Sequence, residues 1–479
     1  MSVPVQNSFH GKVLLFFPPD RQLTKEQETM EVFPAPRLSL GLASIAMYLR
    51  HHAGIAAYVY CSTDHSPQEL EKIIRSEKPA VIGIACWSYN RFACFALARI
   101  AKRIDPKIVI VFGGVHATFL DRQILAHYPE VDYVMRGEGE ITFLKLLAAL
   151  GRNRDIASID GLTFRRDGEI VRTSDRQWCK TLDDLPLIDY KTISIGTPQP
   201  GQSVWRNSPV DRKKRMDQLT TYQMNRTLPV ETSRGCPYSC KYCSSFGFMG
   251  RGVARRSVDK VIKQIGLILE ADSDGMHFHD MNFTLNRQYT VNLCKELIRH
   301  KIKTPWTCMT RIDLVDKELL ILLRQAGCEG IFLGVESLSK NVLSSIGRKY
   351  TPSFAIDYLN LTASLGIKAQ MNIIIGFPGE TDRDRVESLR NSIKIHKDIN
   401  VLVQGLLIFP GAEIYEMALR DGFDESYWLS EHEEVFPFFT GTLSKDEMLG
   451  WIKRLESGRL LKQRLLKIAK ERTVSYSKG

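Results

Sequence analysis

Between residues 12 and 150, short unbroken apolar runs alternate with stretches whose apolar positions recur every three or four residues. The runs are KVLLFFPP, AAYVYCS, AVIGIACWS, KIVIVFGG and VDYVMRG, and segments such as SLGLASIAMYLRHH and NRFACFALARIAKRI lie between them. A continuously apolar strand needs cover on both faces, so this alternation predicts a parallel sheet flanked by helices. Five such units over 10–150 predict an α/β domain of the Rossmann or flavodoxin type, which binds ligands beyond the carboxyl ends of its strands. Those ends carry Trp87-Ser88, then Gly113-Gly114-Val115-His116, then Arg136-Gly137-Glu138-Gly139-Glu140.

Residues 151–228 break the pattern. LTFRRDGEIVRT has an Asp167-Gly168 turn and predicts a β-hairpin. TLDDLPLIDY and GTPQPGQSVWRNSPVDRKK are punctuated by Pro and Gly and predict a linker, the second part mobile or ordered by substrate. Alternation resumes over 229–420 with PVETSR, GMHFHDM, PWTCMTR, GIFLGVES, KAQMNIIIG and VLVQGLLIFP. Six strand–helix units predict a partial (β/α)6 barrel, with reactive residues at the carboxyl ends of its strands. Residues 421–479 predict a helical C-terminal appendage.

Composition narrows the class. The 479 residues are 44% hydrophobic and 25% charged, as in folded globular proteins. No apolar run reaches the roughly 18–20 residues of a membrane helix. The N-terminal MSVPVQNSFHGK has no signal-like apolar core, so the expected location is the cytoplasm. The net charge of +11 suits an acidic partner or merely a basic surface. Part of it lies in DRKKRM (211–216) and in the segment 453–479, where Leu455, Leu460, Leu461, Leu465, Leu466 and Ile468 fall at helical spacing. Such a basic amphipathic helix packs on its own domain or makes peripheral membrane contact. Nothing in the chain has the pattern of a dedicated nucleic-acid module, so no nucleic-acid partner is expected.

Seven of the ten cysteines are scattered singly, as small core residues are. The other three fall together in ETSRGCPYSCKYCSS, spaced Cys236-x-x-x-Cys240-x-x-Cys243. Three thiolates can hold three irons of a 4Fe–4S cube and leave the fourth open to a small molecule, whereas four would close it. A zinc site with a distant fourth ligand has the same local spacing. Gly235 and Pro237 shape the loop, and Tyr242 offers an aromatic shield.

The CPYSCKYC segment resembles the cysteine motif of radical S-adenosylmethionine (radical SAM) enzymes. FHDMNFTLNR, GIFLGVESLS, NIIIGFPGET and LLIFPGAEIY are similar to later barrel motifs of that family. PRLSLGLASIAMYLR, GGVHATF and RGEGE resemble the cobalamin-binding domain that precedes the barrel in one subgroup. The resemblance covers about residues 10–420. It implies a 4Fe–4S cluster on Cys236, Cys240 and Cys243, with S-adenosylmethionine and cobalamin as further cofactors.

For S-adenosylmethionine the resemblance points to Asp280 and Asn282 near the amino group and Arg311 near the carboxylate. It points to Glu336 near the ribose or amino group, and to Asn372 and Gly376 near the adenosine. For cobalamin it points to Trp87, Ser88, Gly113, Gly114, His116, Gly137 and Glu138. The first strand ends in FFPPDRQLTK, without the D-x-H-x-x-G loop that supplies an axial histidine elsewhere, so none is assigned. His116 is expected to hydrogen-bond the nucleotide tail.

The implied activity is methyl transfer to an unactivated carbon of a small molecule, through a 5′-deoxyadenosyl radical and methylcobalamin. A lipid or natural-product precursor would suit as substrate, and a flavodoxin or ferredoxin as external electron donor. Cyclisation or ring rearrangement on the same cofactors is the alternative. A non-catalytic cobalamin or iron–sulfur sensing module is the third.

Overall fold

The computed structural model describes residues 9–18, 38–61, 67–152, 154–192, 227–271, 273–430, 437 and 443–458. The predicted mobile loop after residue 195, DRKKRM and the chain beyond 458 lie outside the described residues.

The first sheet takes β1 (Val13–Phe17), β2 (Ala57–Cys61), β3 (Val81–Ala85), β4 (Val109–Gly113), β5 (Tyr133–Met135), β6 (Leu162–Arg166) and β7 (Glu169–Arg172). Their order is β2-β1-β3-β4-β5-β6-β7, with the first five parallel and the last two antiparallel. The 2-1-3-4-5 arrangement is the flavodoxin-like winding. β1 and β3 are buried at every position, as the unbroken apolar runs require.

The sequence placed the hairpin in a linker after residue 150. In the structure it instead zips onto β5 and extends the first sheet, so that unit runs past 150 to Arg172. Asp167 and Gly168 both have positive φ (53° and 83°), the two-residue turn that matches the twist of paired strands. The buried Arg136 ties the hairpin down, donating to the carbonyls of Leu162 and Thr173 at 2.6 Å each. A linker reading missed this because the partner edge is set by tertiary pairing, not by local pattern.

The second sheet is all parallel and runs in chain order: β8 (Thr227–Val230), β11 (Gly275–Phe278), β12 (Trp306–Arg311), β13 (Cys328–Glu336), β14 (Lys368–Ile375) and β15 (Asn400–Gly405). A short antiparallel ribbon of β9 (Ser233–Arg234) and β10 (Ala254–Arg255) sits above β8 and brackets the cysteine loop. Helices follow β11, β12, β13 and β14, giving the open six-stranded α/β barrel that the sequence predicted.

The chain beyond β15 returns to the first domain. Gln123 donates to Glu425 at 2.9 Å, Tyr128 donates to the Leu429 carbonyl, and the buried Trp428 packs edge-on to His116. The helix over 445–458 buries Met448, Ile452 and Leu455, so its described part packs on its own chain. Among the described residues, no helix is long and apolar enough to cross a membrane.

Candidate active site

The strand ends of the first domain and the segment that follows β8 border one cleft. One wall comes from the first domain: Leu15, Ile84, Trp87, Gly113, Gly114, Gly137 and Glu138. The helix Leu40–Ala53 closes a side with Leu42 and Ile45. Ser39 caps its start and Gly54, at φ 65°, ends it, so a short amphipathic run becomes a fixed wall. The opposite wall comes from the barrel: Glu231 and Arg234, then Phe248 and Met249 just past the last clustered cysteine.

Gly114 shows why glycine stands at the end of β4. Its φ is 92°, and a Cβ there would lie 2.7 Å from the Cys86 carbonyl oxygen. The backbone therefore lies flush against the neighbouring strand end, which keeps the cleft floor low.

Of the residues expected at the first-domain site, Trp87, Gly113, Gly114, Gly137 and Glu138 line the cleft, and Ser88 and His116 do not. His116 is fully buried, its Nδ1 is 3.1 Å from Ser88 Oγ, and Trp428 covers its ring. Burial lowers its pKa to about 3, so the ring is neutral. The expected hydrogen bond from His116 to a bound nucleotide tail is corrected accordingly: the returning segment seals that side chain.

The cysteine loop follows β9. Gly235 has φ 100°, and a Cβ there would sit 2.0 Å from the Gly252 carbonyl oxygen, so the ribbon admits glycine only. Cys236, Cys240 and Cys243 are all partly buried, and Cys236 senses the charge of the other two. Burial raises the Cys236 and Cys243 thiols. Among the described residues, no three Cys, His, Asp or Glu side chains converge tightly enough for a single metal ion.

Asp280, expected near a ligand amino group, faces the other way. Its carboxylate accepts from the Thr232 and Ser233 amides at 2.8 Å each and from the Thr232 hydroxyl. It therefore buttresses the approach to the cysteine loop, and burial lifts its pKa to about 7. Asn282 donates to Cys236 Sγ at 3.4 Å and accepts from the Arg311 amide at 3.2 Å. Arg311, expected on a ligand carboxylate, is held by Asp313 through two contacts at 2.9 and 2.6 Å and stacks on Tyr238 at 3.9 Å. Its Nη1 lies 3.8 Å from Cys240 Sγ. Asp313 thus occupies the Nε and Nη2 edge of that guanidinium. The Gly376 amide, at φ 98°, is taken by Glu380 at 2.6 Å.

Glu336 sits where β13 slips register against β14, and its φ is 70°. It is buried, which raises its pKa against the opposing charge of Arg348. Arg348 Nη2 donates to Glu336 Oε1 at 3.2 Å and to the Tyr242 hydroxyl at 2.8 Å. Its Nε and Nη1 are buried without a hydrogen-bond partner among the described residues, as is Asn372 Oδ1. Orphaned guanidinium donors beside the cysteine loop form a ready anion seat.

Sequence reasoning missed Arg348, although it follows Glu336 by one helix in SIGRKY. It also missed Arg234, which contacts three carboxylates: Glu138 at 3.1 Å, Glu140 at 2.9 Å and Glu231 at 2.7 Å. The visible signal was an arginine beside the motif cysteines opposite a Glu-x-Glu pair.

Residues 230–391 match the model of the radical SAM superfamily, and residues 32–147 match that of the B12 binding domain. An uncharacterised methyltransferase of Pyrococcus horikoshii is 28% identical over 417 residues, covering 86% of this chain and 83% of that protein. The anaerobic magnesium-protoporphyrin IX monomethyl ester cyclase of Rubrivivax gelatinosus is 27% identical over 347 residues, covering 71% of this chain and 58% of the cyclase. Among solved structures, the radical S-adenosylmethionine methyltransferase TsrM from Kitasatospora setae has the same fold, with a TM-score of 0.68 at 18% identity. That match covers 85% of this chain and 76% of TsrM.

Proposed function

Taking as premise that the chain is a radical SAM enzyme with a B12-binding domain, using a 4Fe–4S cluster, S-adenosylmethionine and cobalamin, we propose that it transfers a methyl group to a carbon of a small molecule. The observation that carries this reading is the shared cleft: the first-domain strand ends meet the residues that flank the cysteine loop, Arg234 before it and Phe248 and Met249 after it, across one space. Methyl transfer from a corrinoid carrier to a substrate activated at the cluster needs both centres to reach one bound molecule.

The residues present fit these groups. Cys236, Cys240 and Cys243, partly buried on one loop with Asn282 donating to the first and Arg311 near the second, would hold the cluster. Arg348 would take the carboxylate of S-adenosylmethionine through its unpartnered Nε and Nη1, with Glu336 beside it and Asn372 Oδ1 as a further open acceptor. Trp87, Gly113, Gly114, Gly137 and Glu138 would border the corrin. When bound, the cluster supplies an electron that cleaves the sulfonium, and the corrinoid supplies a transferable methyl.

The chain's own groups orient and shield. Asp280 and Asn282 fix the cysteine loop by hydrogen bonds. Arg311 sets a positive charge near Cys240. The apolar walls of Leu15, Leu42, Ile84 and Phe248 would limit water in the shared space once the cofactors fill it.

The identity to a cyclase supports a second reading on the same cofactors, ring formation. One experiment separates them. The anaerobically reconstituted protein is given dithionite, methyl-labelled S-adenosylmethionine and candidate metabolites. Label on a product carbon together with 5′-deoxyadenosine is expected. An unmethylated product with a new ring would favour the cyclase, and absence of 5′-deoxyadenosine would overturn both.

A further inference from the structure

The cysteine loop is gripped at both ends by the first domain. Ahead of it, Arg234 lies two residues before Cys236 and is enclosed by Glu138 and Glu140 from the loop after β5, and by Glu231. Glu138 is itself held by the Cys179 amide at 2.7 Å, and Glu140 by the Ser44 hydroxyl at 2.6 Å. Past the loop, the Phe119 ring, from the short helix after β4, lies over the backbone of Gly247 and Gly411. A Cβ at either glycine would meet that ring at 3.0 or 2.3 Å.

The gripping residues sit on the segments that form the cleft floor. Gly113 and Gly114 lead into the short helix that carries Phe119, and Gly137 and Gly139 flank Glu138. Anything that settles or displaces these loops therefore acts on the cysteine loop through rigid contacts. The polar grip is the specific one, because three carboxylates converge on one guanidinium and no lysine could span all three. A separate seam on the other side, Gln123–Glu425 and Trp428–His116, holds the domains together independently.

We propose that Arg234 is a positioning residue that couples filling of the corrin cleft to the order of the cluster-bearing loop. The proposal rests on the reading of the cleft as a cobalamin site. Reciprocity is built in: what the corrinoid does for the loop, the ordered loop does for corrinoid affinity.

The test uses the full-length protein with its reconstituted cluster. Iron release to a chelator is timed with and without hydroxocobalamin at saturation, and cobalamin binding is titrated separately. In the wild-type protein, saturating cobalamin should slow iron release about tenfold, within the usual range of coupling between sites. In Arg234→Gln the slowing should fall below about twofold even at saturation, with Arg234→Lys between. Equal protection in Arg234→Gln at saturation would overturn the proposal. If Arg234→Gln does not fold, Glu138→Gln loosens the same grip at constant shape and must show the same loss. Failure of the wild-type protein to bind cobalamin would instead remove the underlying reading, and the titration reports that separately.

Discussion

Arg348 donates to Glu336 across 3.2 Å while two of its other nitrogens, equally buried, have no partner among the described residues. A guanidinium held in place by one carboxylate and left open on another edge is poised for a second anion. Arg348→Met should weaken S-adenosylmethionine binding at least tenfold, about 1.4 kcal/mol, measured by equilibrium dialysis on the clustered protein. Arg311→Met should weaken it less, because Asp313 already occupies that fork. The reverse ranking would return the carboxylate to Arg311.

His116 and Trp87 should part company. Trp87 is 37% exposed and lines the cleft, whereas His116 is sealed beneath Trp428. Trp87→Ala should raise the cobalamin Kd about tenfold or more and change Tm less than His116→Ala does, since over a third of the ring is still exposed before the ligand arrives. His116→Ala should lower stability by about 1–3 kcal/mol and leave the Kd within about twofold. A large Kd change for His116→Ala would mean that the Trp428 segment opens to admit the ligand.

Asp280 predicts a pH signature. Its folded pKa is raised to about 7 from 3.8. The folded state thus holds this proton between roughly pH 4 and 7 while the unfolded chain has released it, so this group lowers stability as pH rises through that window. Above pH 7 the penalty is constant. Asp280→Asn removes the titration, so the Tm of the variant minus that of wild type should climb from pH 4 to 7 and then level off. A flat difference would contradict the burial argument.

Two glycines test backbone against ligand. Gly235→Ala forces a Cβ to 2.0 Å from a carbonyl oxygen beside the cysteine loop, and should abolish the cluster absorbance on reconstitution. Gly168→Ala keeps a positive φ but meets nothing within 4 Å, and should cost only about 1 kcal/mol with the cluster intact.

Both α/β units and the cysteine loop were readable because their signals are local: buried parallel strands are apolar end to end, and Cys236, Cys240 and Cys243 lie within one turn-rich segment. Trp87 and Gly114, expected at strand ends, line the cleft for the same local reason. The partners that decide each polar residue's job lie far along the chain. Asp280 was read toward a ligand because its bond to Thr232, 48 residues away, has no mark in the sequence. Arg234 and Arg348 escaped notice because an arginine's meaning depends on which carboxylates surround it. His116 was misplaced because the covering Trp428 comes from the far end of the fold.

The left-handed backbone at Glu336 has a wider consequence. A side chain bearing a Cβ holds that conformation at a cost of order 1–3 kcal/mol, which its ion pair with the buried Arg348 offsets. Glu336→Gly should therefore melt higher than Glu336→Ala even though both lose the carboxylate. Thermal selection could relieve that strain only by replacing Glu336 and Arg348 together, so the two positions should drift as a pair in a laboratory evolution experiment.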